Sequence, residues 1–365
     1  MSDSAYIYLE DGTVLSGKRF GHRAVKSGEL VFTTSMNGYP ESLTDPSYAG
    51  QILIMTHPLV GNYGVPKKKT LDRILANFES ERIHVEGLVV SELTSSDKWS
   101  SEKNLDDWMK ECGIPGISGI DTRMLTKTVR DKGAMMCAVS TRGKLRDPEG
   151  ELGKRYTRIN FLDRVSPKSP IVHGHGRKSI VVVDCGVKHG ILENLSRLGY
   201  SIVRVPYNYT ASQIMSYRPV GVVYSNGPGN PNMMNATVDS MKSILEYGLP
   251  VFGICLGHQI ATIALGGKVR KMKFGHRAVN KAVIDVTTGK AYITTHNHGY
   301  AVLRRDMPKG AKMWFLSPDD GIVEGMKFGR RNMITTQFHP EARPGTNDAG
   351  FIFKAFDKMI KDAKN

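Results

Sequence analysis

Up to about residue 145 the chain shows short runs in which apolar and polar positions alternate, as in YIYLEDGTVLSG and GQILIMTHPLVG, broken by Gly, Pro, Asn and Asp. A period of two puts alternate side chains on opposite faces, so this part is expected to form β-strands joined by turns, with few helices. The stretch 151–177 is rich in Pro, Gly and charge without a sustained period and is expected to link two domains, 1–150 and 178–365. Beyond it the texture changes. SIVVVDCG is a continuous apolar run suited to a strand buried on both faces, and HGILENLSRLGY then sets Ile191, Leu192, Leu195 and Leu198 at helical spacing. The cycle repeats as SIVRVPY with SQIMSYRP, VGVVYSNGPG with VDSMKSILEYG, and LPVFGIC with LGHQIATIALGG. Such alternation predicts an α/β fold in which a C-terminal doubly wound, mostly parallel sheet is preceded by a smaller β-rich N-terminal domain.

Composition adds boundaries to this picture. A length of 365 residues fits two ordinary domains, and 40% hydrophobic with 23% charged residues is the balance of a soluble globular chain. No apolar run is long enough to span a bilayer, so no membrane association is expected. The N-terminus has an acid at position 3 and no basic-then-apolar signal, which points to the cytoplasm. Cys112, Cys137, Cys185 and Cys255 are far apart and are expected to be reduced. The net charge of +15 resides partly in PKKK (66–69) and KVRKMKFGHR (268–277), which lack the aromatic platforms of nucleic-acid modules. No nucleic acid is expected; a solvated basic face is the first reading and an acidic partner protein the second.

The chemistry concentrates in GICLGHQ, residues 253–259. Cys255 falls at the turn between the strand PVFGI and the helix LGHQIATIAL, with Gly253 and Gly257 two residues away on either side. That is a nucleophile elbow, a strained turn where other side chains would strike neighbouring backbone and where the thiol lies at a positive helix N-terminus. A base and its orienting group are offered by ITTQFHPEA (334–342), where His339 ends an apolar strand and Glu341 follows two residues on. On an extended segment the two would point the same way. SNGPGNP (225–231) offers Gly227 and Gly229 as bare N–H donors for an oxyanion, with the Leu256 N–H as the second donor.

Together these three motifs resemble the class I, triad-type glutamine amidotransferases, in which Cys, His and Glu occur in this chain order. TSMNGYPESLTDPSYAGQI, GNYG, GIDTRMLT and DCGVKHGI extend the resemblance to the small, glutamine-hydrolysing subunits of carbamoyl-phosphate synthase, over nearly the whole chain. The resemblance implies that Cys255 forms a glutamyl thioester, His339 acts as acid and base, and Glu341 holds the imidazole. It implies that Gly229 and Leu256 donate to the oxyanion and that Ser47, Gly227, Gln259, Asn297, Gly299 and Tyr300 contact L-glutamine. Tyr300 stands where the family often has phenylalanine. The implied partner is a large synthetase subunit that binds ATP, magnesium and bicarbonate and receives the ammonia. This chain has no phosphate-binding loop of its own and is expected to carry no cofactor. Residues 268–277 are a candidate surface for that partner.

HNH (296–298) and HGH (173–175) have no further Cys or His at zinc spacing; they are read as loop histidines and no metal is expected. Two other functions remain open at this point. A free-standing γ-glutamyl thiol hydrolase would use the same elbow and triad without such a first domain, and a non-catalytic scaffold subunit would not need Cys255, His339 and Glu341 together.

Overall fold

A computed structural model describes residues 3–96, 98–153 and 156–363; Lys154 and Arg155 of the expected linker lie outside the described residues. The chain divides into two compact units, one of Met1–Lys69 with Asn77–Ile159, the other of Thr70–Ala76 with Asn160–Asn365.

In the first unit, strands β1 (Ser4–Leu9), β2 (Val14–Gly21), β3 (Val25–Thr33), β4 (Gln51–Met55), β5 (Gly87–Val89), β6 (Pro115–Ser118) and β7 (Met135–Ser140) close into a barrel. Their order is β1-β7-β3-β4-β5-β6-β2, with β3 to β6 pairing in parallel and the other pairs antiparallel. Closure leaves no edge with unpaired backbone groups. Ile7, Leu30, Ile52, Leu88, Ile117 and Val139 are completely buried, each adding about 1.5–3 kcal/mol of transfer free energy. Helix α1 (Thr122–Lys132) begins where the Asp121 side chain accepts the Met124 N–H at 2.8 Å and buries Leu125 and Val129. Ser47 is buried here, on the short helical turn Pro46–Tyr48, where its N–H donates to Asp45 Oδ1 at 2.9 Å.

In the second unit, β8 (Ile171–His173), β9 (Ser179–Asp184), β10 (Ser201–Pro206), β11 (Gly221–Tyr224), β12 (Val251–Ile254), β13 (Arg270–Asp285), β14 (Ala291–Ala301), β15 (Lys312–Leu316), β16 (Val323–Phe328) and β17 (Met333–Thr336) form a single sheet among the described residues. The order is β8-β10-β9-β11-β12-β17-β16-β15-β13-β14. Strands β10, β9, β11, β12 and β17 make a parallel block. The antiparallel extension from β16 to β14 is not signalled by the strand–helix alternation.

Alternate residues of the parallel strands feed two separate cores. Val181, Val183 and Val222 pack with Met241 and Ile244 of α4 (Asn235–Glu246) and Ile260 of α5 (Leu256–Ala264). On the other face, Ile180, Val182 and Phe252 pack with Ile191, Leu192 and Leu195 of α2 (His189–Arg197) and Phe353 and Phe356 of α6 (Phe351–Asp362). Helix α3 (Ala211–Met215) is held by a capping box between Thr210 and Gln213. Apolar side chains on both faces are why these strands read as continuous runs rather than alternations.

Two expectations need correction. The HNH histidines lie inside strand β14, and His173 ends strand β8, so neither group is in a loop apart from His175. The basic stretch 268–277 is not a uniform solvated face: His276 and Arg277 are buried, and Arg270 is paired with Asp306 at 2.6 Å.

Candidate functional site

Open α/β sheets react at the carboxyl ends of their parallel strands, and the elbow, the Gly227–Gly229 loop and His339 all follow such ends. Strand β12 runs out at Ile254. Cys255 then adopts φ +52°, ψ −98°, a left-handed strained conformation, and α5 starts at once with Leu256. The turn is pinned by the Cys255 N–H donating to the Thr336 carbonyl at 2.7 Å and the Gly257 N–H to the Ser225 carbonyl at 3.1 Å. A side chain on Gly257 would strike the Tyr224 carbonyl, and one on Gly253 would lie 2.7 Å from the Gly257 carbonyl. The glycines are therefore forced by close backbone approach, as the elbow pattern requires.

Around the Cys255 sulfur, Gln337 Nε2 donates at 3.7 Å and the Asn297 carbonyl stands at 3.7 Å. Leu256 opens α5, where the first N–H groups have no acceptor within the helix. Gly227 and Gly229 occupy the loop after β11, the strand beside β12; a Cβ on Gly227 would collide with the Cys185 carbonyl. Gln259 is buried, its amide donating to the Tyr300 carbonyl and to Gln337 Oε1, both at 3.1 Å. Asn297, Gly299 and Tyr300 follow one another on β14, and the Tyr300 ring packs in the same core as Leu256 and Ile260. The second unit carries all the expected site residues except Ser47, which belongs to the first.

His339 lies beyond the end of β17, bridged to β14 by its N–H donating to the Thr295 carbonyl at 2.8 Å. The segment is not extended as expected. It turns, with the Ala342 N–H reaching the His339 carbonyl at 3.2 Å, and the turn still brings His339 Nδ1 to 2.6 Å from Glu341 Oε1. Because the carboxylate can only accept, Nδ1 carries the proton and Nε2, buried and without a hydrogen bond, is the reactive nitrogen. Burial opposes charge on the His339 ring, but the Glu341 carboxylate and the Cys255 sulfur hold its pKa up at about 10. For Glu341, burial is outweighed by Lys188 and His339, which pull it down to about 2.

Lys188 was missed by sequence reading. Its Nζ lies 3.0 Å from Glu341 Oε1 and donates to the Ala342 carbonyl at 2.7 Å, with both charged side chains buried. A signal existed: lysine caps the N-terminus of α2, the end where a cation is disfavoured by the helix dipole. The loop carrying it is set by Asp184, whose Oδ1 accepts the Gly186 and Val187 N–H groups while Arg204 is bound to Oδ2.

Residues 7–139 match the family described as carbamoyl-phosphate synthase small chain, CPSase domain, and residues 181–359 match class-I glutamine amidotransferase. The carbamoyl phosphate synthase small chain of Sulfolobus acidocaldarius is 58% identical over 97% of this chain and 96% of its own length. That of Pyrococcus furiosus is 44% identical over 98% of each. A free-standing hydrolase or an inert scaffold is not favoured, since the similarity runs through both units and the elbow, imidazole and carboxylate are all in place. A strained thiol beside a buried imidazole–carboxylate pair, in a chain alike from end to end to these relatives, makes this protein a member of the carbamoyl phosphate synthase small chain family and a glutamine-hydrolysing amidotransferase subunit.

Proposed function

We propose that Cys255, His339 and Glu341 hydrolyse L-glutamine to glutamate and ammonia, and that the ammonia passes to a separate large synthetase subunit. The observation that carries this reading is the buried His339–Glu341 contact at 2.6 Å with Nε2 left unbonded in the neighbourhood of the elbow thiol. With the proton already held on His339 Nε2 by the Glu341 carboxylate and the sulfur beside it, the sulfur attacks the carboxamide carbon as the thiolate. The oxyanion then forms against the N–H groups of Leu256 and Gly229. Collapse expels the amide nitrogen, which takes the proton from His339 and leaves as ammonia, with the glutamyl group held as a thioester. Water, deprotonated by His339, attacks that thioester; glutamate departs, the sulfur leaves as thiolate, and the water's proton stays on His339 Nε2. Glu341 keeps the imidazole in one tautomer, and Lys188 holds Glu341 ionised in a buried site.

Gly227, Gln259, Asn297, Gly299 and Tyr300 would bind the substrate. ATP, magnesium and bicarbonate would belong to the large subunit, to which free ammonia must be handed before water protonates it. The exposed part of 268–277 is the proposed docking face for that partner.

A glutamine-analogue electrophile should label Cys255 stoichiometrically, and glutamine should protect it. Cys255→Ala should lower glutamine hydrolysis by about 10³-fold or more, as for nucleophile removal in other triads. Labelling elsewhere, or hydrolysis undiminished in the variant, rejects the assignment.

A further inference from the structure

On the face of β14 opposite Asn297, three imidazoles and a carboxylate converge. β13 and β14 pair His276 with His298 and Ala278 with His296, which puts His276, His296 and His298 on one face, and Glu324 joins them from β16. Irregular register on both sides of this short stretch re-aims the side chains. His276 Nδ1, His296 Nδ1, His298 Nε2 and a Glu324 oxygen lie within 4.8 Å of one another, and all four residues are buried.

The outward nitrogens fix what the inward ones can be. His298 Nδ1 is 2.9 Å from the Tyr300 carbonyl, which only accepts, so Nδ1 bears the proton and Nε2 is a bare lone pair. The Thr294 hydroxyl lies 3.1 Å from the Lys281 carbonyl and 2.8 Å from His296 Nε2; when it donates to the carbonyl it accepts from Nε2, and His296 Nδ1 is then bare. His276 Nε2 donates to Asp320 Oδ2 at 2.8 Å, and its Nδ1 faces Glu324 Oε1 at 3.4 Å. In that arrangement His296 Nδ1 and His298 Nε2 face each other at 3.3 Å as two lone pairs. His276 Nδ1 and both Glu324 oxygens have no hydrogen-bond partner, although His276 Nδ1 is 3.4 Å and His296 Nδ1 3.6 Å from those oxygens. Electron-rich atoms pointing at one another in a buried site are stabilised by a cation placed among them.

We propose that His276, His296, His298 and Glu324 bind a divalent transition cation of the zinc type. Three imidazoles and a carboxylate are a zinc donor set, and bonds of 2.0–2.2 Å arranged tetrahedrally place neighbouring donors about 3.4 Å apart. Separations of 3.3, 3.4 and 3.6 Å lie near that spacing; 3.9 Å from His298 to Glu324 Oε1, and an outer bound of 4.8 Å for the whole set, mean the donors would draw in around a bound ion. Each ligand ring also has the outer partner that metal-binding histidines use to fix their tautomer: a carboxylate, a hydroxyl and a carbonyl. A dication balances Glu324 and Asp320 together. The rival arrangement, a protonated His276 shared between Asp320 and Glu324, still leaves His296 and His298 lone pair against lone pair, and burial keeps both of those rings neutral. Asn297 lies between two ligands with its carbonyl beside the Cys255 sulfur, so the ion would fix the strand that faces the nucleophile.

The full-length protein, purified without chelator, should contain one equivalent of zinc. After stripping, it should take up Co²⁺ with the intense visible absorption of a tetrahedral site, displaced by Zn²⁺. His276→Ala and Glu324→Gln should abolish that spectrum in protein whose circular dichroism is unchanged. Asp320→Asn, which touches only the outer partner of His276, should weaken uptake about 10- to 100-fold. Absence of bound zinc together with no cobalt spectrum in folded wild-type protein overturns the proposal, as does cobalt uptake that all three substitutions leave unchanged. None of these readouts depends on glutamine as substrate.

Discussion

Lys188 and Glu341 show how a single buried charge is kept in the form the chemistry needs. Alone, a carboxyl so deeply buried would rise in pKa and protonate; with Lys188 and His339 beside it the value falls to about 2, from an ordinary 4.5. Since the folded value is the lower one, this contribution to stability is complete above about pH 4.5 and is lost as pH falls toward 2. Lys188→Met removes one of the two cations. Glu341 should then titrate at a higher pH, moving the acid limb of the kcat/KM profile upward, with a loss of about 10- to 100-fold at neutral pH as the imidazole loses its fixed orientation. Lys188→Arg should recover part of the activity. A pH profile for Lys188→Met superimposable on that of the unaltered protein would rule out this electrostatic role.

At the scale of elements, the parallel block was legible because each strand is apolar on both faces and each connecting helix has a single apolar stripe, as Ile191, Leu192 and Leu195 show on α2. The elbow was legible because strain leaves a mark in composition: two glycines around one nucleophile. Its test is Gly257→Ala, whose methyl would enter the space of the Tyr224 carbonyl. A loss of about 1–3 kcal/mol in denaturant unfolding is expected, with hydrolysis reduced as Cys255 shifts. An unchanged midpoint would mean the turn can relax. The antiparallel extension was not legible, because β13 and β14 mix buried and exposed positions and carry lysines and histidines that read as surface. The histidine–glutamate cluster was hidden for a related reason. Two of its donors are visible as HNH, but HNH alone is set aside for want of further ligands nearby; the others, His276 and Glu324, come from two other strands at no motif spacing.

For the whole molecule, the instructive feature is that Thr70–Ala76 belongs to the second unit although the first continues after it. Within that unit the Leu75 N–H donates to His189 Nδ1 at 2.9 Å, Arg343 donates to the Leu75 carbonyl at 2.9 Å, and Ile74 joins the core of α2 and α6. Motif reading could not find this, since the pairing partners are more than a hundred residues away and the segment has only a two-residue strand on each side. A fragment starting at residue 160 should therefore melt at a lower temperature than the same fragment fused to residues 70–76 through a flexible linker. Equal melting temperatures would show that the hairpin is dispensable.

The early position of that hairpin also has a consequence during synthesis. Ile74 and Leu75 leave the ribosome before His189 and before Arg343, and the surface that receives them is completed only near the end of translation. Until then the growing polypeptide carries an apolar loop with no place to go, so nascent chains halted short of Arg343 should be held by chaperones that recognise this segment.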